Sequence, residues 1–272
     1  VKFPGTTRNL QGSVPSYTTA PVSEWLGSHV YAALGIPVHE TVLGIRDGRI
    51  VCACRDFTFP DSRLVNFHDL KNSLSDDEPG FTEDASTGSG VVLADVRSAI
   101  HRIPVLRSID GVSDRFWDMF VVDAFIRNID RNNTNWGVLR NPRGEFSLAP
   151  VYDNGNSFNN KRTESGIERR LANPDLIRQD ALDVRSCYVT DRGKPIAPLK
   201  YLASGQDEEC TKALDRFMER YDPRSFHDLL DSIPSMSHGL TVVPDGFHEY
   251  HRRVCDYRYE HAFMEAWREL HP

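Results

Sequence analysis

Asn128-Ile129-Asp130-Arg131-Asn132-Asn133-Thr134-Asn135-Trp136-Gly137 is followed, one short hairpin later, by Leu148-Ala149-Pro150-Val151-Tyr152-Asp153-Asn154-Gly155. Singly, each polar residue here has an ordinary reading. Asp130 suits a turn bridged to Arg131, Asn135 suits a turn, and Asp153 can cap a strand end. Jointly they place Asp-x4-Asn ahead of Asp-x-Gly, with a hairpin that returns the chain to its starting point. Phosphoryl transfer asks little else of a protein: a carboxylate to orient and deprotonate a hydroxyl, and an amide plus a second carboxylate to hold magnesium on phosphates. Such hard oxygen ligands suit Mg2+. Gly155 is expected to supply a backbone angle that a side chain would forbid.

Working outward, Phe116, Trp117, Phe120, Val121, Ala124 and Phe125 share one face of a helix that Asp114 can cap and that delivers the chain to Asp130. Residues 136–139 and 145–148 read as strands around the turn Asn141-Pro142-Arg143-Gly144. Further helices are expected at 174–183, 207–220 and 223–232. A long final helix from Asp245 carries Phe247, Tyr250, Val254, Tyr257, His261 and Met264 as a core stripe. Toward the N-terminus, 41–46 and 49–53 are β-rich runs around Asp47-Gly48, a hairpin signal. A helix over 23–34 is expected to use Ser23 as N-cap and Gly35 as stop. Val1-Lys2-Phe3 reads as a strand end, and Lys2 can reach phosphates from it. Glu24, in the first turn of the only helix in this region, either pairs with Lys2 or answers the helix dipole. Residues 4–21 and 75–90 read as loops, and Gly88-Ser89-Gly90 as plain flexible loop.

Composition narrows the function. A net charge of −7 argues against an electrostatic nucleic-acid binder, and no apolar run approaches the roughly 18 residues of a membrane span. Five scattered cysteines point to a reducing, cytoplasmic setting, with export into a host cell left open. Cys52 and Cys54 should face the same way on a strand. They read as structural thiols, because no second ligand pair has metal-site spacing. His248 and His251 read as a plain helix face. The first residue is Val1, and the natural protein is expected to start earlier.

The motifs together resemble the HipA-like kinases, the bacterial toxin-antitoxin serine/threonine kinases. The carrying residues are Val1-Lys2-Phe3-Pro4, Ser23-Glu24-Trp25-Leu26 with Leu34-Gly35-Ile36-Pro37, Cys54-Arg55-Asp56-Phe57, and the two opening strings. Protein kinases have the same Asp-x4-Asn spacing and supply the third group from Asp-Phe-Gly. The resemblance implies an α+β, bilobal protein-kinase-like fold: a β-rich N-lobe (residues 1–57, truncated at its start) and a helical C-lobe (58–272), with ATP between them. It makes Asp130 the catalytic base, Asn135 and Asp153 the Mg2+ ligands, and Lys2 the phosphate-holding lysine. Arg55, Asp56 and Phe57 would meet adenine mainly through their backbone. Two departures stand out. Asn132 replaces the His that the family often carries two residues after the base, and Asn cannot titrate near neutral pH. The phosphate-cradling loop would lie upstream of Lys2.

The expected activity is a Mg-ATP-dependent serine/threonine protein kinase, acting on a protein substrate and on itself, with a cognate antitoxin or regulatory protein as partner. Residues 156–170, with Lys161, Arg162, Arg169 and Arg170, read either as a substrate-side segment or as an ordinary solvated loop. The same strings also resemble type II phosphatidylinositol kinases, although the chain has no cysteine-rich or basic membrane anchor. A nucleotide-binding pseudokinase or interaction module is the non-enzymatic alternative.

Overall fold

Asp47 and Gly48 both adopt positive φ, 51° and 66°. That is the backbone an Asp-Gly turn supplies, and it closes a tight hairpin between β1 (Thr41–Arg46) and β2 (Arg49–Cys54). The computed structural model describes residues 1–4, 19–75 and 90–272; most of the two expected loops lies outside these. Lys2 pairs antiparallel with Cys52 on the free edge of β2 through two backbone hydrogen bonds, 2.7 and 3.0 Å. Across this small sheet packs α1 (Ala20–Ala33).

Ser23 does not cap α1. The helix starts three residues earlier, because Pro21 suits a first turn whose N–H groups have no helical partner. Ser23 is instead buried inside it. Gly35 ends the helix at φ 70°. α1 is buried nearly all round, since its far side docks on the helical part of the chain. A Cβ on Gly27 would stand 2.8 Å from Cβ of Asn154, so the glycine is what lets that loop approach.

The chain continues through β3 (Arg63–Asn66), α2 (Phe67–Ser75), β4 (Val91–Val92), α3 (Leu93–Arg102), α4 (Pro104–Arg107) and α5 (Val112–Ile126). α5 is the central helix. Asp114 is not its cap but lies in its first turn, paired with Arg216 at 3.2 Å, while Gly111 is the capping residue. After α5, β5 (Gly137–Arg140) and β6 (Phe146–Leu148) form the expected hairpin. β3 adds to its free edge, giving the order β3-β5-β6. Val38 and Val151 form a parallel bridge that ties this hairpin to the segment before β1.

The rest is mainly helical: α6 (Glu164–Leu171), α7 (Pro174–Leu182), β7 (Tyr188–Val189, parallel to β4), α8 (Pro198–Ser204), α9 (Glu208–Arg220) and α10 (Pro223–Asp231). The short pair β8 (Met236–Ser237) and β9 (Leu240–Thr241) precedes α11 (Phe247–Arg258) and α12 (Met264–Leu270). A π turn over Tyr259–Phe263 joins the last two helices. Its extra residue per turn rotates the apolar face. Phe247, Tyr250 and Val254 are buried as expected, but Phe263 and Ala266 then replace His261 and Met264. His251 is no plain surface histidine. It is packed against Phe158 and Phe247, and burial, then the charge of Arg258, pushes its pKa down to about 3.

The polar segment after Gly155 is not wholly loop, because Thr163 accepts from the Gly166 N–H and caps α6. Two of its basic residues serve structure. Arg162 and Arg170 both bind the buried Asp180, which also accepts from the Tyr250 hydroxyl at 2.7 Å. Asp180→Ala would leave the Arg170 guanidinium buried without its counter-ion. We expect urea unfolding to show a loss of roughly 3–5 kcal/mol; an unchanged midpoint would mean that the cluster holds nothing.

Candidate active site

Arg127, left-handed at φ 58°, stops α5 and turns the chain into the loop 128–135. Neighbouring side chains then take opposite directions. Asp130 stays half-exposed, while Arg131 turns inward and is 1% exposed. The Asp130 carboxylate accepts from Asn132 Nδ2 (3.0 Å) and Asn156 Nδ2 (2.7 Å). Asn132 is itself fixed by Thr134, whose N–H and Oγ1 donate to its Oδ1 at 2.9 and 2.6 Å. Asn135 Nδ2 donates back to the Asp130 carbonyl at 2.7 Å. That bond turns the amide so that its Oδ1, met among the described residues by Thr134 Oγ1 at 3.4 Å, keeps acceptor capacity.

Arg131 does not bridge to Asp130. Its guanidinium donates from Nε to Asp123 Oδ2 (2.8 Å) and from Nη2 to Asp123 Oδ1 (3.2 Å) and Asn154 Oδ1 (2.6 Å). From Nη1 it donates to the carbonyls of Asn135 (3.1 Å) and Tyr152. All five donors are used. Burial works against its charge, but Asp123 beside it prevails and raises its pKa well above the ordinary value. The Tyr31 hydroxyl donates to Asp123 at 2.7 Å, and the Tyr188 hydroxyl to the Arg131 carbonyl at 3.1 Å. One buried cation therefore fixes the backbone at Asn135 and just before Asp153. Sequence reading missed Asp123; its signal was a lone carboxylate within the apolar run of α5.

Asp153 holds a left-handed backbone, φ 60°, and its carboxylate meets the Lys2 ammonium. Lys2 also pairs with Glu24, which is fully buried. Glu24 Oε1 lies 2.9 Å from His39 Nε2 and accepts from the Asn154 N–H at 3.0 Å. Burial works to raise the Glu24 pKa, but His39, Lys2 and that N–H together hold it at about 2. For Lys2, burial is likewise outweighed by Glu24 and Asp153, and its pKa is raised. Asn154 is buried and donates to Ser28 of α1 at 3.0 Å, so it links α1 to Arg131. Gly155 has no positive φ; that strain sits on Asp153. A Cβ on Gly155 would stand 3.1 Å from both Lys2 Nζ and Glu24 Oε2, so what it provides is close approach.

Arg55 reaches out to Glu40 (2.7 Å), and Asp56 accepts from Thr58. Phe57 packs on Tyr152, ring centres 5.5 Å apart, and so joins the end of the small sheet to the Asp153 loop. Cys52 and Cys54 do face the same way. The hydrogen bond between them, then burial, pushes the Cys52 thiol up. The same bond, against burial and helped by His39, brings Cys54 down to about 6. A cavity of about 520 Å3 lies elsewhere, lined by residues that include Pro4, Val22, Arg49, Arg162 and Val242. Neither Asp130, Asn135 and Asp153 nor Lys2 lines it.

No family model matches the chain. A serine/threonine-protein kinase of Helicobacter pylori (strain J99), CtkA, is 34% identical over 224 residues, which cover 82% of this chain and 66%, about two thirds, of the relative. The crystal structure of a Helicobacter pylori proinflammatory kinase CtkA superposes with a TM-score of 0.83 at 29% identity, covering 93% of this chain and 88% of that one. The Shewanella oneidensis HipA, solved with HipB and operator DNA, gives a TM-score of 0.50 at 13% identity, over 91% and 57% of the two chains, and speaks for the fold alone. The fold is the α+β protein-kinase-like fold. The chain belongs to the HipA-like serine/threonine kinase family.

The low Glu24 pKa has a measurable consequence. A folded value near 2 against 4.5 for the free side chain means the native state binds the proton less well. The stabilisation is complete above pH 4.5 and is lost as pH falls through about 2. It is on the order of 3 kcal/mol. Acid titration of unfolding stability should therefore fall more steeply for the wild type than for Glu24→Gln; identical slopes would remove Glu24 as the cause.

Proposed function

We propose that this chain is a Mg-ATP-dependent serine/threonine protein kinase, binding nucleotide between an N-lobe of residues 1–57 and a C-lobe of residues 58–272. One observation carries this reading. The Arg131 guanidinium binds the Asn135 carbonyl, the Tyr152 carbonyl and the Asn154 side chain at once, so one group holds the backbone that carries the Asn135 amide and the Asp153 carboxylate. Asn135 Oδ1 and the Asp153 carboxylate are hard oxygen donors and would hold the metal. When bound, Mg2+ would neutralise the charge that develops on the transferring phosphate. Lys2 holds the α- and β-phosphates and keeps Glu24 as its counter-ion. Asp130 takes the proton of a Ser or Thr hydroxyl. Asn132 and Asn156 donate to its two oxygens and fix the direction of the carboxylate. Asn132 thus orients the base without titrating. Phe57 and the neighbouring Arg55 and Asp56 line the adenine side.

A Ser/Thr-bearing protein is the proposed substrate, with autophosphorylation and a cognate regulatory protein as further parts of the same proposal. The net charge of −7 favours no direct nucleic-acid contact. The odd number of cysteines and their scatter along the chain support a reducing, cytoplasmic setting. No helix among the described residues is long and apolar enough to cross a membrane.

The test is transfer of labelled γ-phosphate from Mg-ATP to protein, read by phosphoamino-acid analysis, beside an arm with phosphatidylinositol vesicles. The wild type should label Ser or Thr, and Asp130→Asn should lose about 100-fold or more. Equal labelling by Asp130→Asn would remove the base assignment, and label confined to lipid would remove the protein-kinase reading.

A further inference from the structure

Sequence spacing gave Cys54 no partner ligands, but the fold does. Glu24 comes from α1, His39 from the segment before β1, and Cys54 from the end of β2. One ligating atom of each lies within 4.8 Å of the others. Glu24 and His39 are buried, and Cys54 is half-buried. His39 is placed by a backbone bond from its N–H to the Val151 carbonyl (2.9 Å). Its Nε2 already faces Glu24 Oε1, with Ser28 Oγ at 3.2 Å.

We propose that Glu24, His39 and Cys54 form a binding site for a thiophilic divalent cation, Zn2+ by donor chemistry, and that its occupation turns the kinase down. A sulfur, an imidazole and a carboxylate are the three kinds of ligand zinc takes, and sulfur disfavours Mg2+. Zn–ligand bonds of about 2.0–2.3 Å set tetrahedral ligand atoms roughly 3.3–3.7 Å apart. The Cys54 sulfur therefore needs to close by no more than about 1 Å, and the Glu24–His39 contact to open by a few tenths. Water from solvent takes the fourth position. On binding, the Cys54 thiol gives up its proton to solvent, and His39 ligates through an unprotonated Nε2 with its proton on Nδ1.

The regulatory half rests on the kinase reading above. Zinc would draw Glu24 away from the Lys2 ammonium and from the Asn154 N–H, and would set a second positive charge beside Lys2. Nucleotide and zinc would then oppose each other by the same factor in either direction, about tenfold. The site explains why Glu24 has two oxygens in different company: one serves Lys2, the other His39.

Cobalt(II) titration of the full chain without nucleotide tests the site. The expected result is one Co2+ per chain, with a sulfur-to-cobalt charge-transfer band and the intense visible bands of a tetrahedral centre. Zn2+ should bleach them. Cys54→Ser should abolish the charge-transfer band and Cys52→Ser should keep it, with thermal melts checking that both variants fold. A wild-type spectrum lacking the charge-transfer band would overturn the site whatever the variants do, as would a Cys54→Ser spectrum equal to it. In a parallel assay, added zinc should lower wild-type phosphorylation about tenfold more than that of Cys54→Ser; equal inhibition would overturn the regulatory half. The spectra need no phosphate transfer. A chain that binds cobalt through Cys54 but transfers no phosphate refutes the kinase reading alone, and the reverse result refutes the site alone.

Discussion

The buried guanidinium of Arg131 is the constraint on which the site depends. A charge taken out of water is costly unless paired and fully hydrogen-bonded, and here Asp123 supplies the pair while three further acceptors complete the set. Those acceptors belong to Asn135, Tyr152 and Asn154, so satisfying one buried cation aligns two loops that are distant in the chain. The same inward turn of Arg131 leaves Asp130 facing outward. Geometry at the carboxylate is thus set by the need of its neighbour in the chain.

From Asn154 the constraint passes to α1. Its side chain joins Arg131 to Ser28, and its N–H meets Glu24, while Gly27 permits the close approach. Glu24 then shares Lys2 with Asp153. Helix, sheet edge and both loops are therefore linked by one chain of polar and charged contacts, buried at Arg131, Asn154 and Glu24, where low polarity strengthens them, and partly open to water at Lys2 and Asp153. A disturbance at any member reaches the others, and this is why a cation held by Glu24, His39 and Cys54 would be felt at Lys2.

Much of this was legible beforehand. The hairpin at Asp47-Gly48, the helices at 174–183, 207–220 and 223–232, and the strands flanking Asn141–Gly144 follow from turn chemistry and periodicity. Asp130, Asn135, Asp153 and Lys2 stood out because their types and spacing match a reaction. What was not legible depends on contacts distant in sequence. β3 and α2 are held by pairing with β5, which local propensity does not reveal. The π turn after Arg258 shifts a stripe that a constant period carries straight on. Arg162 and Arg170 read as a free basic segment, yet Asp180 binds both. Pro21 outweighed Ser23 in starting α1. His39 gave no signal at all, since its meaning comes from Glu24 and Cys54, fifteen residues away on either side.

The central claim is that Asp130, Asn135, Asp153 and Lys2 form one site around a metal-bound nucleotide. A crystal structure of the chain with Mg2+ and a non-hydrolysable ATP analogue tests it most directly. The expected result is a metal about 2.1 Å from Asn135 Oδ1 and from an Asp153 oxygen, Lys2 on the α- and β-phosphates, and the Asp130 carboxylate facing the γ-phosphate. A nucleotide seated instead in the cavity beside Val22, Arg49 and Val242, with no metal on Asn135 or Asp153, would contradict it.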